Sequence, residues 1–387
     1  MYRYVLELVE PLAAEHVDEL NRRVFFVDES IVDFELIGLT AVAVSTDRPV
    51  DPAELTRKLR FVVENDVTAQ LRTLPKVLWR SNTTRRARRD TFAALEADGV
   101  VHEVGPGQVA LGQPAIAALD ALDRLIKDIV VEEFGATEYR YPTLLPLNAL
   151  QRSGYLSSFP QHLMFVARLH GDVDTYREFA EDPVDILDHC GPVDRCLPTT
   201  MCYHTFDQFA GCRLDGPMVI TARGGSFRHE ARYHRTLERL GDFTIRETVF
   251  IGDADFVRAA RDRLRERVIE LVQKLDLAGR CEVANDPFFA AADGAMRVSS
   301  QRLLELKHEL HLEIEPGDRT IAVGSFNLHD QHFGEAFDIR LGDGPAFSAC
   351  VGFGLERLTY ALLCQYGWDM HDWPDVLRER ATTRGLA

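Results

Sequence analysis

GGSFRHE, residues 224–230, is the stretch on which the fold prediction for this sequence depends. A loop through Arg239 follows, and then DFTIRE, residues 242–247. Arg228 and Glu230 are two residues apart and share one face of a strand, where an unpaired charge away from water is costly. We therefore expect a charged ligand: Arg228 could hold a phosphate bidentately, and Glu230 could accept from an amine. An internal Arg–Glu pair on a sheet surface is the alternative.

Phe243 and a second stretch, ACVGFGLERL at residues 349–358, extend the candidate nucleotide site. The aromatic ring of Phe243 offers a surface on which a base could stack. Gly352 and Gly354 allow close backbone approach where a strand turns into a helix. Arg357 falls in the first helical turn, where it could face a phosphate or stack over a purine. A single GxG is a weak signal by itself.

Composition limits the class of protein. The chain has 387 residues, 46% hydrophobic and 27% charged, which predicts a folded chain and excludes a fibrous or disordered one. It contains no long uncharged apolar run, and its N-terminal stretch places acidic residues where a signal peptide needs basic ones, so we expect a cytoplasmic protein without a membrane partner. A net charge of −17 disfavours DNA and tRNA as partners. Seven scattered cysteines predict reduced thiols and leave a metal site open.

The pattern of elements predicts two domains. Residues 1–114 are expected to form a small α+β accessory domain, and residues 115–387 an α+β catalytic domain whose mainly antiparallel sheet is flanked by helices. An amphipathic helix at 115–135 and a proline-interrupted segment at 139–146 form an apolar surface, which predicts a homodimer interface. A basic run in the first domain is either a recognition strip or a solvated helix start, and its members are Arg85, Arg86, Arg88 and Arg89.

The order of the two motifs resembles motifs 2 and 3 of the class II aminoacyl-tRNA synthetases, and Tyr141-Pro142 then resembles their motif 1. Within that class, the chain most resembles the seryl-tRNA synthetase-like amino acid:[carrier protein] ligases and the related atypical zinc-dependent seryl-tRNA synthetases. Further matching blocks are SGYL at 153–156, Cys202-Tyr203, DPFF at 286–289, KHEL at 307–310, SFN at 325–327 and HFG at 332–334. Two features depart from the pattern. Thr244 stands where the family has a basic residue, and the short ligases lack an N-terminal module.

The resemblance implies a set of site residues. It implies one zinc ion per chain, with the fourth tetrahedral position open for the substrate's α-amino group, on Cys202, Glu247 and Cys350. Three further cysteines are competitors for that metal: Cys190, Cys196 and Cys212. The resemblance also implies that Arg228 contacts the α-phosphate, that Glu230 contacts the adenine amine, and that Phe243 and Arg357 sandwich the adenine ring. Two matching positions lie near the ATP, Mg²⁺ and amino-acid site: Glu309 and Asn327.

The function implied by the resemblance is ATP-dependent activation of a small amino acid, such as Gly, Ala or Ser, to an aminoacyl-adenylate. The aminoacyl group then passes to the phosphopantetheine thiol of a carrier protein. An atypical seryl-tRNA synthetase acting on tRNA is the alternative, and the N-terminal module favours it. A synthetase-like binding protein without catalysis is a third hypothesis, which the intact set of candidate site residues disfavours.

Overall fold

The computed structural model describes residues 1–68, 76–230, 232, 234, 236–284, 304–317 and 319–382. The matching block at 286–289 lies outside the described residues. The strands, in chain order, are β1 Tyr2–Glu7, β2 Ile31–Ile37, β3 Ala41–Thr46, β4 Val77–Arg80, β5 Val101–Gly105, β6 Gln108–Leu111, β7 Thr137–Tyr139, β8 Leu145–Pro146, β9 Phe165–Val166, β10 Arg195–Cys196, β11 Arg213–Leu214, β12 Met218–Phe227, β13 Asp242–Gly252, β14 Gly279–Val283, β15 Lys307–Glu315, β16 Arg319–Asp330, β17 Arg340–Leu341, β18 Gly344–Pro345 and β19 Phe347–Gly354.

Eight of these strands form one large sheet in the order β4-β14-β15-β16-β19-β13-β12-β7. Neighbouring strands in it are antiparallel, except that β7 runs parallel to β12. The two predicted motif strands, β12 and β13, pair along ten residues each, and β19 pairs with β13 on the other side. The sheet therefore confirms the predicted α+β fold with an antiparallel core.

The helices surround the sheets and connect them. The α-helices are Val17–Arg23, Pro52–Val62, Thr91–Ala97, Ala115–Phe134, Leu147–Arg152, Tyr155–Ser158, Val173–Glu181, Cys202–Gln208, Ala254–Lys274, His332–Phe337, Leu355–Tyr366 and Asp375–Thr382. Short 3₁₀ helices cover Ala14–His16, Val24–Phe26, Pro160–His162, Ile186–His189 and Met370–Asp372, and a π-helical turn covers Val63–Val67. Within the described part of the chain, every helix is too short or too polar to cross a bilayer.

Three long helices cover one face of the large sheet. Ala115–Phe134 buries an apolar stripe and ends at Gly135, whose φ of 62° suits a glycine. Ala254–Lys274 begins where the Asp253 carboxylate accepts from the third backbone N–H of the helix. With Leu355–Tyr366 they enclose a core that contains fully buried Phe326, and each such side chain contributes about 1.5–3 kcal/mol to folding. These three helices leave the opposite face of the sheet uncovered, and the candidate site described below lies on that face.

A buried charge cluster fastens the first long helix to β13. The guanidinium of Arg246, which is 2% exposed, donates to both carboxylate oxygens of Asp123 at 2.7 and 2.9 Å. It also donates to Glu138 at 2.9 Å. Burial lowers the pKa of Arg246, but its two acidic partners outweigh burial and hold it above the ordinary value. Because both partners belong to the candidate motif 1 region, this cluster joins motif 1 to motif 2.

A separate hydrophobic core forms in the N-terminal part. The three-stranded sheet β1-β3-β2 packs on the helix Pro52–Val62, and their buried residues lie between Leu6 and Val67. By contrast, β4 pairs with β14 of the large sheet, and Ala87 and Leu95 belong to the large core. The domain boundary that the sequence predicts at residue 114 stays a prediction. We propose a boundary before β4, because residues 77–111 pack with the larger unit.

Candidate active site

A cleft on the open face of the large sheet gathers most of the predicted site residues. It has about 690 Å³ of free space. Its lining includes five of the predicted ligand-binding side chains, which are Arg228, Glu230, Phe243, Glu309 and Arg357, together with the two glycines Gly352 and Gly354. Arg228 and Glu230 lie just beyond the end of β12 at Phe227, so the prediction that they share one face of a strand is wrong. They meet Phe243 because Ser226 pairs with Phe243 at the end of the ladder. Asn327 lies deeper on the same sheet, beside the cysteine cluster described below.

Arg228 and Phe243 form one side of the cleft. The guanidinium carbon of Arg228 lies 5.4 Å from the centroid of the Phe243 ring, within the range of a cation–π contact. Its Nε donates to the carbonyl oxygen of Thr199 at 3.3 Å. Neither Nη atom has a hydrogen-bond partner among the residues that the structure describes. Both Nη groups are therefore left to bind an anion.

Arg357 lies across the cleft from that pair, in the first turn of the helix Leu355–Tyr366. Its Nε donates to the carbonyl oxygen of Glu238 at 2.7 Å, and its Nη1 donates to that of Ala322 at 3.2 Å. Burial, together with the nearby charge of Arg239, lowers the pKa of Arg357 to about 10. The side chain is thus still charged at neutral pH, and an anion in the cleft would relieve the cost of burying that charge.

Glu230 faces the same cleft and is 5% exposed. One carboxylate oxygen lies 2.5 Å from Nη1 of Arg239. Burial raises the pKa of Glu230, but the positive charge of Arg239 and of other nearby groups outweighs burial and lowers the pKa below its ordinary value. The carboxylate is therefore ionised at neutral pH and can accept a hydrogen bond.

Glu309 lies on β15 between two basic side chains to which the sequence interpretation assigned no role. Lys307 Nζ lies 3.0 Å from one carboxylate oxygen, and His311 Nε2 lies 3.3 Å from the other. Burial opposes ionisation, but the charge of Lys307 and the contact with His311 hold the pKa of Glu309 well below its usual range. The alternation of KHELH could have identified this group, since residues two apart share one face of a strand.

Cys202, Glu247 and Cys350 meet in a buried cluster. One ligand atom from each lies within 4.8 Å of the others, and no other such group of three occurs among the described residues. Glu247 Oε2 accepts from the backbone N–H of Cys202 at 2.8 Å and from the Thr200 hydroxyl at 2.5 Å. Burial raises the pKa of the Cys202 thiol well above its ordinary value. A bound cation would reverse that effect, because thiolates are the metal-binding form.

The donor set of this cluster fits Zn²⁺. Two sulfurs and one carboxylate are typical zinc ligands, and three protein ligands leave a fourth position open. The competing cysteines lie elsewhere: Cys196 Sγ donates to the carbonyl of Leu145, and Cys190 Sγ donates to that of Ile186. Cys212 also lies outside the cluster.

Two polar side chains of β16 touch the sulfur of Cys350. Asn327 Nδ2 lies 3.5 Å from Sγ, and His329 Nε2 lies 3.4 Å from it. Asn327 also donates to the hydroxyl of Ser325 at 3.2 Å, and His329 Nδ1 lies 3.1 Å from the hydroxyl of Ser348. These contacts hold the Cys350 side chain, which lies on β19, from the neighbouring strand β16. The sequence singled out Asn327 through the family resemblance alone.

Two arginines of the basic run have partners inside the chain. Arg85 lies 3.2 Å from Asp276, and its guanidinium carbon lies 3.7 Å from the centroid of the Tyr366 ring. Arg88 Nη2 donates to the backbone carbonyl of Tyr366 at 2.9 Å. The predicted strip of four arginines is therefore divided, since Arg85 and Arg88 hold the chain against the ends of two helices, Ala254–Lys274 and Leu355–Tyr366.

Comparisons with known proteins agree with this fold. No family model matches the chain. It is 36% identical over 296 residues to amino acid–[acyl-carrier-protein] ligase 2 of Bradyrhizobium diazoefficiens, an alignment that covers 73% of this chain and 85% of that protein. It is 26% identical over 373 residues to the type-2 serine–tRNA ligase of Methanocaldococcus jannaschii, covering 92% of this chain and 70% of that protein. The crystal structure of M. kandleri SerRS with A. aeolicus tRNASec matches with a TM-score of 0.71 and 22% identity, over 98% of this chain and 77% of that one.

The fold and the curated relatives define a ligase with the class II synthetase catalytic fold, as the motif order predicted. The 36% and 32% identity to two curated relatives shows the family to which the chain belongs. The chain belongs to the family of amino acid–[acyl-carrier-protein] ligases, to which the type-2 seryl-tRNA ligases are related.

Proposed function

We propose that the protein activates a small amino acid with ATP and Mg²⁺ and transfers the aminoacyl group to the phosphopantetheine thiol of a carrier protein. The proposal rests on one observation above all, the adjacency of the nucleotide cleft and the Cys–Glu–Cys cluster. Gly352 lines the cleft, and a Cβ added to it would lie 3.6 Å from a carboxylate oxygen of Glu247. A nucleotide and a small amino acid can therefore meet on one sheet.

The first step forms the aminoacyl-adenylate. A carboxylate oxygen of the amino acid attacks the α-phosphorus, and the bond from that phosphorus to the oxygen bridging to the β-phosphate breaks, releasing pyrophosphate. The free Nη atoms of Arg228 bind the α-phosphate, and the adenine ring lies between Phe243 and Arg357. Glu230 accepts from the adenine amine. The protein accelerates this step by positioning the two substrates and by neutralising phosphate charge.

The two metals have separate roles in this proposal. Cys202, Glu247 and Cys350 would hold Zn²⁺, which supplies a Lewis acid for binding the substrate's α-amino group. Glu309, kept ionised by its basic neighbours, supplies carboxylate oxygens of the kind that Mg²⁺ prefers. Asn327 touches Cys350, and this contact supports a role for Asn327 in binding the amino acid instead of the nucleotide.

The second step transfers the aminoacyl group. The thiol of the carrier arm loses its proton and attacks the carbonyl carbon of the adenylate, the bond from that carbon to the phosphate oxygen breaks, and AMP leaves. The curated relatives at 36% and 32% identity, both named as acyl-carrier-protein ligases, support this acceptor. The net charge of −17 also disfavours a polyanionic acceptor. Transfer to tRNA is the second candidate, favoured by the alignment with a type-2 serine–tRNA ligase over 92% of the chain.

We also propose a homodimer. Four apolar side chains are at least 36% exposed on the helix Ala115–Phe134 and the segment after it: Ile116, Val131, Tyr139 and Leu144. Such a surface is stabilised by a self-complementary interface of two-fold symmetry. A cytoplasmic location stays a prediction.

One experiment tests the function and the acceptor together. The protein is incubated with ATP and each labelled amino acid in turn, first with pyrophosphate to measure exchange, and then with a holo-carrier protein or with bulk tRNA. We expect exchange with one small amino acid and label on the holo-carrier only. The apo-carrier, which lacks the thiol, is the matched control. Label on tRNA alone would replace the carrier-protein proposal with the seryl-tRNA synthetase alternative, and absence of exchange with every amino acid would contradict both.

A further inference from the structure

A second cleft lies at the edge of the large sheet, where β4 pairs with β14. It has about 410 Å³ of free space, and its lining residues are Arg80, Ser81, Thr83, Arg86, Ala278, Gly279, Arg280, Glu313 and Thr320. Four of them come from the sequence RSNTTRR at residues 80–86, which opens the basic run. The cleft therefore concentrates arginine side chains in a chain whose net charge is −17.

Three hydroxyl groups of this cleft are left as hydrogen-bond donors. Ser81 Oγ accepts from the backbone N–H of Gly279 at 2.9 Å, Thr83 Oγ1 accepts from that of Arg85 at 3.1 Å, and Thr320 Oγ1 accepts from Arg280 Nη1 at 2.9 Å. None of the three donates its own proton to another residue in the described part of the chain. Because each hydroxyl has one proton to donate, the cleft offers three unused O–H donors.

Two guanidinium groups add charged donors. Arg280 uses Nε toward Glu282 at 2.7 Å and Nη1 toward Thr320, which leaves Nη2 without a hydrogen-bond partner among the described residues. Arg86 is exposed and uses only Nη1, toward the backbone carbonyls of Thr83 and Arg85 at 3.3 and 2.8 Å. Two guanidinium groups with unused N–H donors and three hydroxyl donors are together suited to an oxyanion.

One carboxylate narrows the choice of anion. Glu313 is 4% exposed, and its Oε1 accepts from the backbone N–H of Ala87 at 2.9 Å. Its Oε2 has no hydrogen-bond donor among the residues described. A carboxylate repels an anion unless the ligand donates a proton to it. Hydrogen phosphate and hydroxyl-bearing phosphate esters can do so, whereas sulfate at neutral pH has no proton to donate.

We propose that this cleft binds a phosphate group that carries a hydrogen-bond donor, either inorganic hydrogen phosphate or the phosphate of a small hydroxyl-bearing ester. The site is distinct from the nucleotide cleft, although both lie on one face of the sheet. Thr320 and Ala322, which line the two clefts, are two residues apart on β16. Arg280 lies on β14, and the backbone of β14 is two strands away from that of β16, roughly 10 Å across the sheet. The inference does not depend on the function proposed above.

Isothermal titration calorimetry of the full chain tests this proposal with three probes: inorganic phosphate, glycerol phosphate and sulfate. We expect phosphate or glycerol phosphate to bind, the tighter of the two identifying the source, and sulfate to bind at least about ten-fold more weakly. Arg86→Gln and Arg280→Gln should each weaken binding by about ten-fold, the effect of removing one charge-assisted hydrogen bond. Arg228→Ala, in the nucleotide cleft, should leave phosphate binding in the second cleft intact.

Arg86→Gln keeps the test decisive if Arg280→Gln does not fold. Arg280→Gln leaves Glu282, which is buried, without its ion pair, whereas the exposed Arg86 side chain contacts only backbone carbonyls. Unchanged phosphate affinity in a folded Arg86→Gln protein would overturn the proposal. So would equal affinity for sulfate and phosphate, loss of binding in Arg228→Ala, or absence of binding by both phosphate probes.

Discussion

Arg228→Ala is expected to slow ATP–pyrophosphate exchange by about two to three orders of magnitude. Removing one donor to charge that develops in a transition state costs about 3–4 kcal/mol. The two Nη atoms of Arg228 have no partner in the described part of the protein, so truncation mainly removes contacts to the nucleotide. Folding should lose only the Thr199 hydrogen bond and the contact with Phe243, in total no more than roughly 2 kcal/mol. The variant should therefore fold.

Exchange is measured at saturating ATP and amino acid, with thermal unfolding as the check on the fold. Arg232→Ala is the matched control. It removes an arginine a few residues away, whose ion pair with Asp47 at 2.8 Å is about half exposed, with side-chain exposures of 48% and 44%, and such pairs contribute little. Its exchange rate should match the wild type. A folded Arg228→Ala protein that retains exchange within about ten-fold of wild type would refute the assignment of Arg228 to the α-phosphate.

Three further outcomes are expected. Cys202→Ser and Cys350→Ser should each purify without zinc, measured by metal analysis, and without ATP–pyrophosphate exchange activity. Each variant keeps only two of the three protein ligands, and two ligands cannot hold the metal. Asp123→Asn should lower the free energy of unfolding by about 3–5 kcal/mol in a denaturant titration, because it leaves the buried Arg246 short of a countercharge. Glu309 has a folded pKa below the unfolded value of 4.5, so its stabilisation is present above that pH and is lost as the pH falls through the folded pKa. Glu309→Gln should therefore flatten the acid side of the stability–pH curve.

Each of these outcomes has a control within the chain. Cys212→Ser should retain zinc, since Cys212 lies outside the cluster, and metal loss there would point to a general effect of removing thiols. Asp120→Asn removes one of the two acidic partners of Arg223, which is 35% exposed and also lies 3.4 Å from Asp123, and it should cost far less than the buried substitution. Glu29 is 92% exposed, and Glu29→Gln should leave the pH profile unchanged. Equal effects in a test variant and its control would contradict the reasoning for that site.

The nucleotide cleft was largely predictable because its residues occur in short motifs. Arg228 and Glu230 follow one strand, Phe243 opens the next, and Arg357 begins a helix, so each role is tied to a local strand or helix boundary. The role of the two basic neighbours of Glu309 was missed, although both residues lie on the same strand as Glu309. Their role depends on which face of β15 the cleft occupies, and alternation alone does not choose between the two faces.

The contacts that strands and arginines make with distant parts of the chain were not predictable in the same way. Val77–Arg80 reads as a short strand, but nothing in four residues says that it pairs with β14 instead of with the N-terminal sheet. The arginines that follow look equivalent in sequence, yet Arg85 and Arg88 contact Tyr366 while Arg86 lines the second cleft. A charge run therefore does not reveal which of its members are left free to bind a ligand.

By itself, the sequence predicted the α+β fold class, the amphipathic helix at 115–135, the order of the two motifs, and the identity of the side chains at their ends. These features depend on side-chain alternation, glycine placement and helix starts, which act over a few residues. Only the tertiary structure decided that Cys202, Glu247 and Cys350 lie within 4.8 Å of one another, and that β4 and the basic run build a second cleft. Residues far apart in the chain become neighbours only when the strands pair in one register and the helices bury one face of the sheet, because local preference carries no information about long-range contacts.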